Sequence, residues 1–188
     1  MRPTPPNVLG VDDAPFPRPH RGDVLVVGTI FSRTRLDGVL TTRVRRDGVN
    51  STERIAQMLL RSPFLEHVRA VLLQGIAVAG FNVVDIHGLH ARLGIPVLVV
   101  ARRPPDLVAI RRALLERVPG GKRKWRLIER AGAMEPLAGV LVQRVGIERD
   151  DAAQLLHACR LHGALPEALR VAHLIAGAMV TGTSRGRA

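Results

Sequence analysis

Two adjacent acidic residues stand at the end of the first apolar segment of the chain. Asp12 and Asp13 follow residues 8–11, whose continuous apolar character predicts a buried strand. Carboxylates are preferred ligands of hard divalent cations, which activate water and stabilise a leaving oxygen in hydrolytic enzymes. Asp12 and Asp13 are therefore predicted to be catalytic and to bind Mg²⁺ or Mn²⁺. An Asx turn leading into the Pro-rich segment 15–21 is the structural alternative.

Asp47 and Asp85 are further candidate metal ligands. Asp47 precedes a glycine, so a turn is the simpler interpretation there. Asp85 lies on a predicted helix near two histidines, for which a solvated or core-edge position is the simpler interpretation. The strand expected beside the first one ends at Gln74, whose neutral amide cannot balance a metal's charge as a carboxylate does. A metal site in this chain would therefore have fewer carboxylate ligands than such sites usually have.

A segment bounded by Gly75 and Gly80 follows that second strand and precedes a predicted helix. Backbone N–H groups at the start of a helix bind phosphate or carboxylate groups. Gly75, Gly80 and Asn82 are therefore predicted to form an anion site in a loop. The segment lacks the Gly-Lys-Ser/Thr ending of a phosphate-binding loop, so no nucleotide-binding motif is predicted.

The formal net charge of +12 favours polyanionic partners, above all DNA or RNA, because basic side chains that neutralise phosphates release counterions. A GC-rich genome is an alternative source of the arginine excess. Basic residues are concentrated between positions 102 and 130, and residues 120–125 are expected to form an exposed basic loop beside Trp125. The candidate nucleic-acid-binding residues are Arg102, Arg103, Lys122, Arg123 and Lys124.

The length of 188 residues suits a single domain, 1–188, with a sizeable apolar core. No apolar run approaches the roughly 18 residues that a membrane span needs, so we expect no membrane segment. Residues 1–6 lack the apolar region of a signal peptide. Cys159 is the single cysteine, which fits a reducing environment. A cytoplasmic location is therefore expected.

Hydrophobic periodicity predicts strands and helices in a definite order. The first three strands are predicted at residues 8–12, 23–31 and 36–45, joined by short turns in an antiparallel meander. A helix capped by Ser51 or Thr52 follows. The remaining predictions are strands at 69–74, 95–101, 125–129 and 140–145, and helices at 81–93, 107–118, 149–161 and 166–180.

This order predicts an α/β fold with one mixed sheet, because alternating strands and helices demand right-handed crossovers between parallel strands. The meander joins the parallel βαβ units, and helices cover both faces in a three-layer arrangement of the ribonuclease-H-like type. A doubly wound sheet of the flavodoxin kind is the alternative. It fits less well because the chain opens with strands that have no helix between them.

Four segments, residues 10–16, 47–52, 80–85 and 165–173, together resemble an endonuclease-V-like family, domain of unknown function 99. The resemblance covers nearly the whole chain. It implies a ribonuclease-H-like fold without reference to the periodicity of the sequence.

A more distant resemblance to endonuclease V implies a mechanism to compare with. That enzyme cleaves nucleic acid near deaminated bases, using acidic residues and a divalent metal. Its first-strand Asp matches Asp12 and a basic residue matches Arg102, but its Asp-Gly falls on Gln74 and Gly75. Its acidic residue before the first helix falls near Asn50 or Ser51, with Asp47 and Glu53 as unaligned substitutes. Its late His falls on Ile147. The resemblance therefore implies one retained acid and an incomplete site.

Three functions stay open at this point. The first is a nucleic-acid-binding protein on an endonuclease-V-like scaffold with a degenerate catalytic site. The second is a divalent-metal-dependent nuclease that acts on DNA or RNA through a rearranged acidic site. The third is a small-ligand or protein-interaction domain that uses the loop of residues 75–80 as an anion site.

Overall fold

The computed structural model describes residues 7–184 of the chain. Residues 1–6, in which no signal peptide is expected, and residues 185–188 lie outside that range. In chain order the elements are β1 (Asn7–Asp13), β2 (Asp23–Ser32), β3 (Arg35–Arg45), α1 (Ser51–Leu60), β4 (Val68–Gln74), β5 (Ala77–Val78), β6 (Asn82–Val83), α2 (Ile86–Leu93), β7 (Val97–Ala101), α3 (Leu107–Arg117), α4 (Gly121–Ala131), β8 (Glu135–Leu137), β9 (Val140–Val145), α5 (Arg149–Ala158) and α6 (Glu167–Thr181).

Seven strands form one mixed sheet in the order β3-β2-β1-β4-β7-β9-β8. The first three strands are antiparallel neighbours, as the predicted meander requires. β4 then pairs in parallel with β1 and with β7, whereas β9 and β8 return antiparallel at the far side. The predicted mixed sheet is confirmed, and it brings the carboxyl ends of β1, β4 and β7 to one edge.

Helices cover both faces of this sheet, and alternate residues of β4 show how. Val71 and Leu73 belong to a buried cluster with residues of α1 and α2. Ala70 and Leu72 belong to a second cluster with residues of α5 and α6. A strand that is buried on both faces is apolar throughout rather than alternating, which is the pattern of β4 and β7 in the sequence. The three-layer prediction is therefore confirmed.

The predicted helix at residues 81–93 is wrong in its first part. Residues 77–83 form a small antiparallel hairpin of β5 and β6, and α2 begins only at Ile86. Asn82 prevents an earlier helix, because its fully buried side chain accepts from Ser51 N–H and donates to the Arg45 carbonyl. Asp85 caps α2 instead, accepting from Gly88 N–H at 3.0 Å. The loop of residues 75–80 thus leads into a strand, which removes the helix start on which the predicted anion site depended.

The basic loop at residues 120–125 and the strand at 125–129 are also wrong, because α4 spans both. Lys124 and Ile128, four residues apart, share its buried face. Gly121 lets α4 come close to α3, since a Cβ there would lie 1.7 Å from the Leu114 carbonyl oxygen. Charged residues obscured the helical period in this segment. Between residues 7 and 184, no helix is long and apolar enough to cross a membrane.

Candidate active site at the carboxyl ends of β1 and β4

His173 reaches β1 because α6 lies directly on that strand. A Cβ on Gly10 would come within 2.5 Å of the Ala168 carbonyl carbon, so a glycine is needed for this approach. Thr29 Oγ1 donates to the Ala168 carbonyl at 2.7 Å and holds the helix in place. From Gly10 to Asp12 the strand advances about 7 Å, and from Ala168 to His173 the helix advances about 7.5 Å. Because these two lengths are similar, the side chains of Asp12 and His173 come into contact.

Asp12 forms the centre of the site. Its side chain is nearly buried, and its Oδ2 lies 2.8 Å from His173 Nδ1. Its Oδ1 accepts from the Asp13 backbone N–H at 3.0 Å. Burial, reinforced by the charge of Asp13, raises the pKa of Asp12 to about 6, and the hydrogen bond from His173 opposes that rise. A cation beside this carboxylate would therefore stabilise its charged form.

Asp13 points to the opposite side of β1, as alternation along a strand requires. Its Oδ2 accepts from the Ala79 N–H at 2.8 Å and so ties β1 to the hairpin of β5 and β6. Burial raises the pKa of Asp13 as well, and the Ala79 hydrogen bond opposes it. The two predicted catalytic acids are thus both at the strand end, but only Asp12 has a histidine partner.

Gln74 lies beside Asp12, because β1 and β4 are parallel and Val11 pairs with Leu73, the residue before Gln74. Gln74 Oε1 is buried and has no hydrogen-bond partner among residues 7–184. An unpaired buried acceptor is costly, which marks it as a place for a ligand. Asp12, Asp13, Gln74 and His173 line one cavity of about 850 Å³, here named the acidic cavity.

This arrangement is suited to hydrolysis. A carboxylate that holds one imidazole nitrogen fixes the tautomer, so that the other nitrogen can take a proton from water. Asp12 and Gln74 also offer oxygen donors to a single hard cation, which commonly binds one or two carboxylates and keeps several waters. Within the described range, no group of three or more His, Cys, Asp or Glu side chains forms a metal cluster.

The acidic cavity does not include the other two predicted metal ligands. Asp47 Oδ1 accepts from the Phe81 N–H at 2.8 Å, and its backbone carbonyl accepts from the Lys124 ammonium. Asp85 caps α2 and lies 3.7 Å from a guanidinium nitrogen of Arg130. Both carboxylates have structural partners, so the structure does not bring them to Asp12.

The predicted nucleic-acid-binding residues divide into two groups. Arg102 and Arg103 are exposed directly after β7, at the same sheet edge as Gln74, and Lys122 and Arg123 are exposed on α4. Lys124 is a correction to the prediction, because it is only 1% exposed. Burial lowers the pKa of its ammonium group, and nearby Asp47 opposes that shift. It therefore anchors α4 and does not belong to a phosphate-binding surface.

His173 is the functional candidate that the residue patterns did not single out. It ends the segment 165–173 that carries part of the family resemblance. The resemblance to endonuclease V places that enzyme's late histidine at Ile147 instead, which packs beside the buried cluster of α5 and α6. No spacing rule links position 173 to position 12. Only the contact of α6 with Gly10 brings them together.

Comparison with known proteins identifies the family. The family model described as endonuclease dU matches residues 6–180. A UPF0215 protein from Deinococcus radiodurans is 54% identical over 181 residues, covering 96% of this chain and 92% of its own length. A UPF0215 protein from Methanothermobacter thermautotrophicus is 47% identical over 185 residues, with 96% and 91% covered.

Solved structures agree with this result. A protein of unknown function from Archaeoglobus fulgidus superposes with a TM-score of 0.87 at 31% identity, covering 94% of this chain and 99% of that one. Ciona intestinalis endonuclease V, in complex with a 24mer DNA containing an inosine, gives a TM-score of 0.54 at 14% identity, with 89% and 82% covered. This second likeness concerns the fold alone. The chain has the ribonuclease-H-like fold of endonuclease V and belongs to the endonuclease dU family.

Proposed function

We propose that this protein is a divalent-metal-dependent endonuclease that cleaves DNA at deoxyuridine. The observation that carries the proposal is the 2.8 Å contact between Asp12 Oδ2 and His173 Nδ1 at the wall of the acidic cavity. The family description supports it, since it names an endonuclease together with dU, the symbol for deoxyuridine. Uracil is the deamination product of cytosine, and the Ciona endonuclease V complex contains inosine, also a deaminated nucleoside.

His173 acts as the general base in this proposal. Asp12 accepts a hydrogen bond from Nδ1–H, and in this tautomer Nε2 carries a lone pair. The imidazole is partly exposed at the cavity wall, where a water molecule can reach Nε2. Asp12 then stabilises the imidazolium that forms when His173 takes the proton of the attacking water.

The residues of the acidic cavity fit one Mg²⁺ or Mn²⁺ better than two. Asp12 supplies a carboxylate and Gln74 an unpaired amide oxygen, and water and a substrate phosphate would fill the other positions. When bound, such an ion stabilises negative charge on the phosphate and lowers the pKa of nearby water. The raised pKa of Asp12 supports this assignment, because the carboxylate lacks enough positive charge around it.

In this proposal Arg102 and Arg103 provide positive charge beside the acidic cavity, where it can bind the phosphates of the substrate. β7 pairs with β4 through Gln74 and Val100, so the chain leaves the sheet beside the acidic cavity just before Arg102. Exposed guanidinium groups bind phosphate oxygens in bidentate fashion and fix the position of a nucleic-acid backbone. These two residues would hold the strand and contribute no sequence information.

Nucleic-acid binding without cleavage is the second candidate, and Gln74 favours it. The resemblance to endonuclease V expects an Asp at this position, and an amide contributes no negative charge to a metal site. In that case the fold would hold DNA through its basic surface while the hydrolytic site is degenerate.

Cleavage assays separate the two candidates. Oligonucleotides that carry one deoxyuridine, deoxycytidine, deoxyinosine or ribouridine at the same position are incubated with protein in Mg²⁺, Mn²⁺ or EDTA. We expect cut product from the deoxyuridine strand with either metal and none with EDTA or with Asp12→Asn. Asp151→Asn, at an exposed position on α5, is the matched control. Salt-sensitive binding with no cut product under any metal condition would support the degenerate site instead.

A further inference from the structure

A second cavity, of about 780 Å³, lies near the same edge of the sheet as the acidic cavity. Gln74 lines the first and the next residue, Gly75, lines the second. Phe81 and Trp125 are among its walls, and we name it the aromatic cavity. Glu129 holds the indole, because Trp125 Nε1 donates to Glu129 Oε1 at 2.6 Å. A planar apolar ligand can stack on such fixed aromatic surfaces.

Gln143 places a polar group of fixed orientation in this apolar wall. It lies on β9, and its Nε2 donates to the Gly132 carbonyl at 2.6 Å. Gly132 adopts φ 79° and ψ −177°, a conformation essentially reserved for glycine, so its carbonyl is held in a particular direction. Turning the Gln143 amide over would set its oxygen against that carbonyl oxygen. Among residues 7–184 this is the one hydrogen bond of the side chain, which leaves Oε1 and one amide hydrogen for a ligand.

We infer that Gln143 selects uracil by hydrogen bonding to its N3–H edge in the aromatic cavity. The inference rests on the proposed function, since it names what distinguishes deoxyuridine from deoxycytidine at that site. An amide offers an acceptor next to a donor, and uracil offers the complement, the N3–H donor next to the O4 acceptor. Cytosine in the same pose presents an acceptor at N3 and an amino donor at C4, so both contacts become repulsive.

Burial makes this discrimination effective. Gln143 is 7% exposed, so few water molecules can reach its amide, and a mismatched base leaves that amide poorly paired. A site built to hydrogen-bond a ligand rejects an analogue that leaves its buried groups unpaired. The nucleotide must leave the base stack to enter the aromatic cavity, and a mismatched or single-stranded uracil does so at low cost.

Trp125 provides a direct measurement, because it is the single tryptophan and the chain has no tyrosine. Single-stranded oligonucleotides of one thymidine-free sequence, with one deoxyuridine or one deoxycytidine at the test position, are titrated into the full chain in EDTA while Trp125 emission is recorded. We expect quenching by the deoxyuridine strand with an apparent Kd at least roughly tenfold lower than for the deoxycytidine strand. Equal responses to the two strands, or no response to either, would overturn the inference.

Gln143→Leu should bring the two apparent Kd values together, because leucine fills a similar volume and has no hydrogen-bonding group. Gln154→Leu, at an exposed position on α5, is the matched control and should keep the preference. A preference that persists in Gln143→Leu contradicts the inference. If Gln143→Leu does not fold, the wild-type comparison of the two strands decides alone.

The outcome is separable from that of the proposed function. Cleavage of deoxyuridine DNA by a protein whose Trp125 emission does not distinguish the two strands would refute the role of Gln143 and leave the endonuclease standing. A tenfold preference in EDTA that Gln143→Leu loses, with no cleavage in Mg²⁺ or Mn²⁺, would uphold the role of Gln143 and refute the proposed hydrolysis.

Discussion

Gly10 on β1 and Ala168 on α6 touch so closely that a single methyl group does not fit between them: a Cβ on Gly10 would lie 2.6 Å from the Cβ of Ala168. This contact sets how near α6 comes to the sheet. It therefore sets the distance from His173, further along the same helix, to Asp12. A backbone contact remote from the chemistry thus controls the geometry of the candidate catalytic pair.

Gly10→Ala should lower both stability and activity. The added methyl pushes α6 away from β1, and such overpacking costs about 1–3 kcal/mol of the free energy of unfolding. Urea denaturation measures the cost, and cleavage of deoxyuridine DNA measures the displacement of His173. Gly177→Ala on the same helix is the control for stability. No atom would lie within 4 Å of its Cβ, so we expect it to stabilise the helix by about 0.5–1 kcal/mol.

Asp12→Asn should stabilise the folded protein at neutral pH while it removes cleavage. The pKa of Asp12 is about 6 in the folded state against 3.8 for a model carboxyl, so folding favours its protonated form. Below about pH 4 the group is protonated in both states and costs nothing. Between about pH 4 and 6 only the folded state keeps the proton, so wild-type stability falls as pH rises, and above about 6 the full penalty applies.

This penalty is of the order of 3 kcal/mol, since one unit of pKa shift corresponds to about 1.4 kcal/mol. Urea denaturation of wild type and Asp12→Asn at pH 4, 5.5 and 7.5 measures it. The advantage of the variant should grow with pH, and Asp151→Asn should show no such trend. An advantage that shrinks as pH rises would mean that Asp12 is well stabilised as an anion.

Gln74→Asp should strengthen metal binding, because it replaces a neutral amide by a carboxylate beside Asp12. Titration calorimetry with Mn²⁺ measures the affinity directly, and we expect a lower Kd for Gln74→Asp and a higher one for Gln74→Leu than for wild type. Cleavage at limiting Mn²⁺ should follow the same order. If Gln74→Asp cleaves and wild type does not, the wild-type site is degenerate.

Lys122 and Lys124 are two residues apart on α4 and should behave differently. Lys124 is buried and bonded to the Asp47 carbonyl, so Lys124→Ala should cost about 2–4 kcal/mol of stability through lost packing and an unpaired carbonyl. Lys122 is exposed, so Lys122→Ala should leave stability within about 0.5 kcal/mol. If Lys122 contacts phosphate, its removal should also reduce the salt dependence of DNA binding. The reverse assignment of effects would contradict the burial of Lys124.

Periodicity was sufficient for six of the seven strands of the sheet, because buried strands such as β2, β4 and β7 are continuous runs of aliphatic residues bounded by turns. The short strand β8 was not predicted. It failed at α4, where Lys122, Arg123 and Lys124 are adjacent in sequence although one of them faces inward. It also failed at residues 77–83, where the side chain of Asn82 is bonded to residues more than thirty positions away. Local patterns do not contain partners at such distances.

The candidate site, like the fold, was predictable from the sequence only in part. The place of Asp12 and Asp13 was predictable because a strand end is visible in the sequence. The place of Gln74 beside them was predictable because parallel neighbours end at one edge, although its amide was expected to be a poor metal ligand. His173 was not, because its approach depends on how α6 crosses β1. Gln143 escaped notice as well, since a glutamine within an apolar strand has no feature that marks it as part of a cavity.

The most direct test of the account is the single-turnover rate of cleavage of deoxyuridine DNA by His173→Ala in Mg²⁺. His67→Ala is the matched control, because His67 is exposed directly before β4, at the opposite edge of the sheet from Gln74. Loss of a general base predicts a rate lowered by about 10²–10⁴-fold with DNA affinity little changed, and an unchanged rate for His67→Ala. Cleavage by His173→Ala at the wild-type rate would contradict the assignment of the Asp12–His173 pair as the catalytic centre.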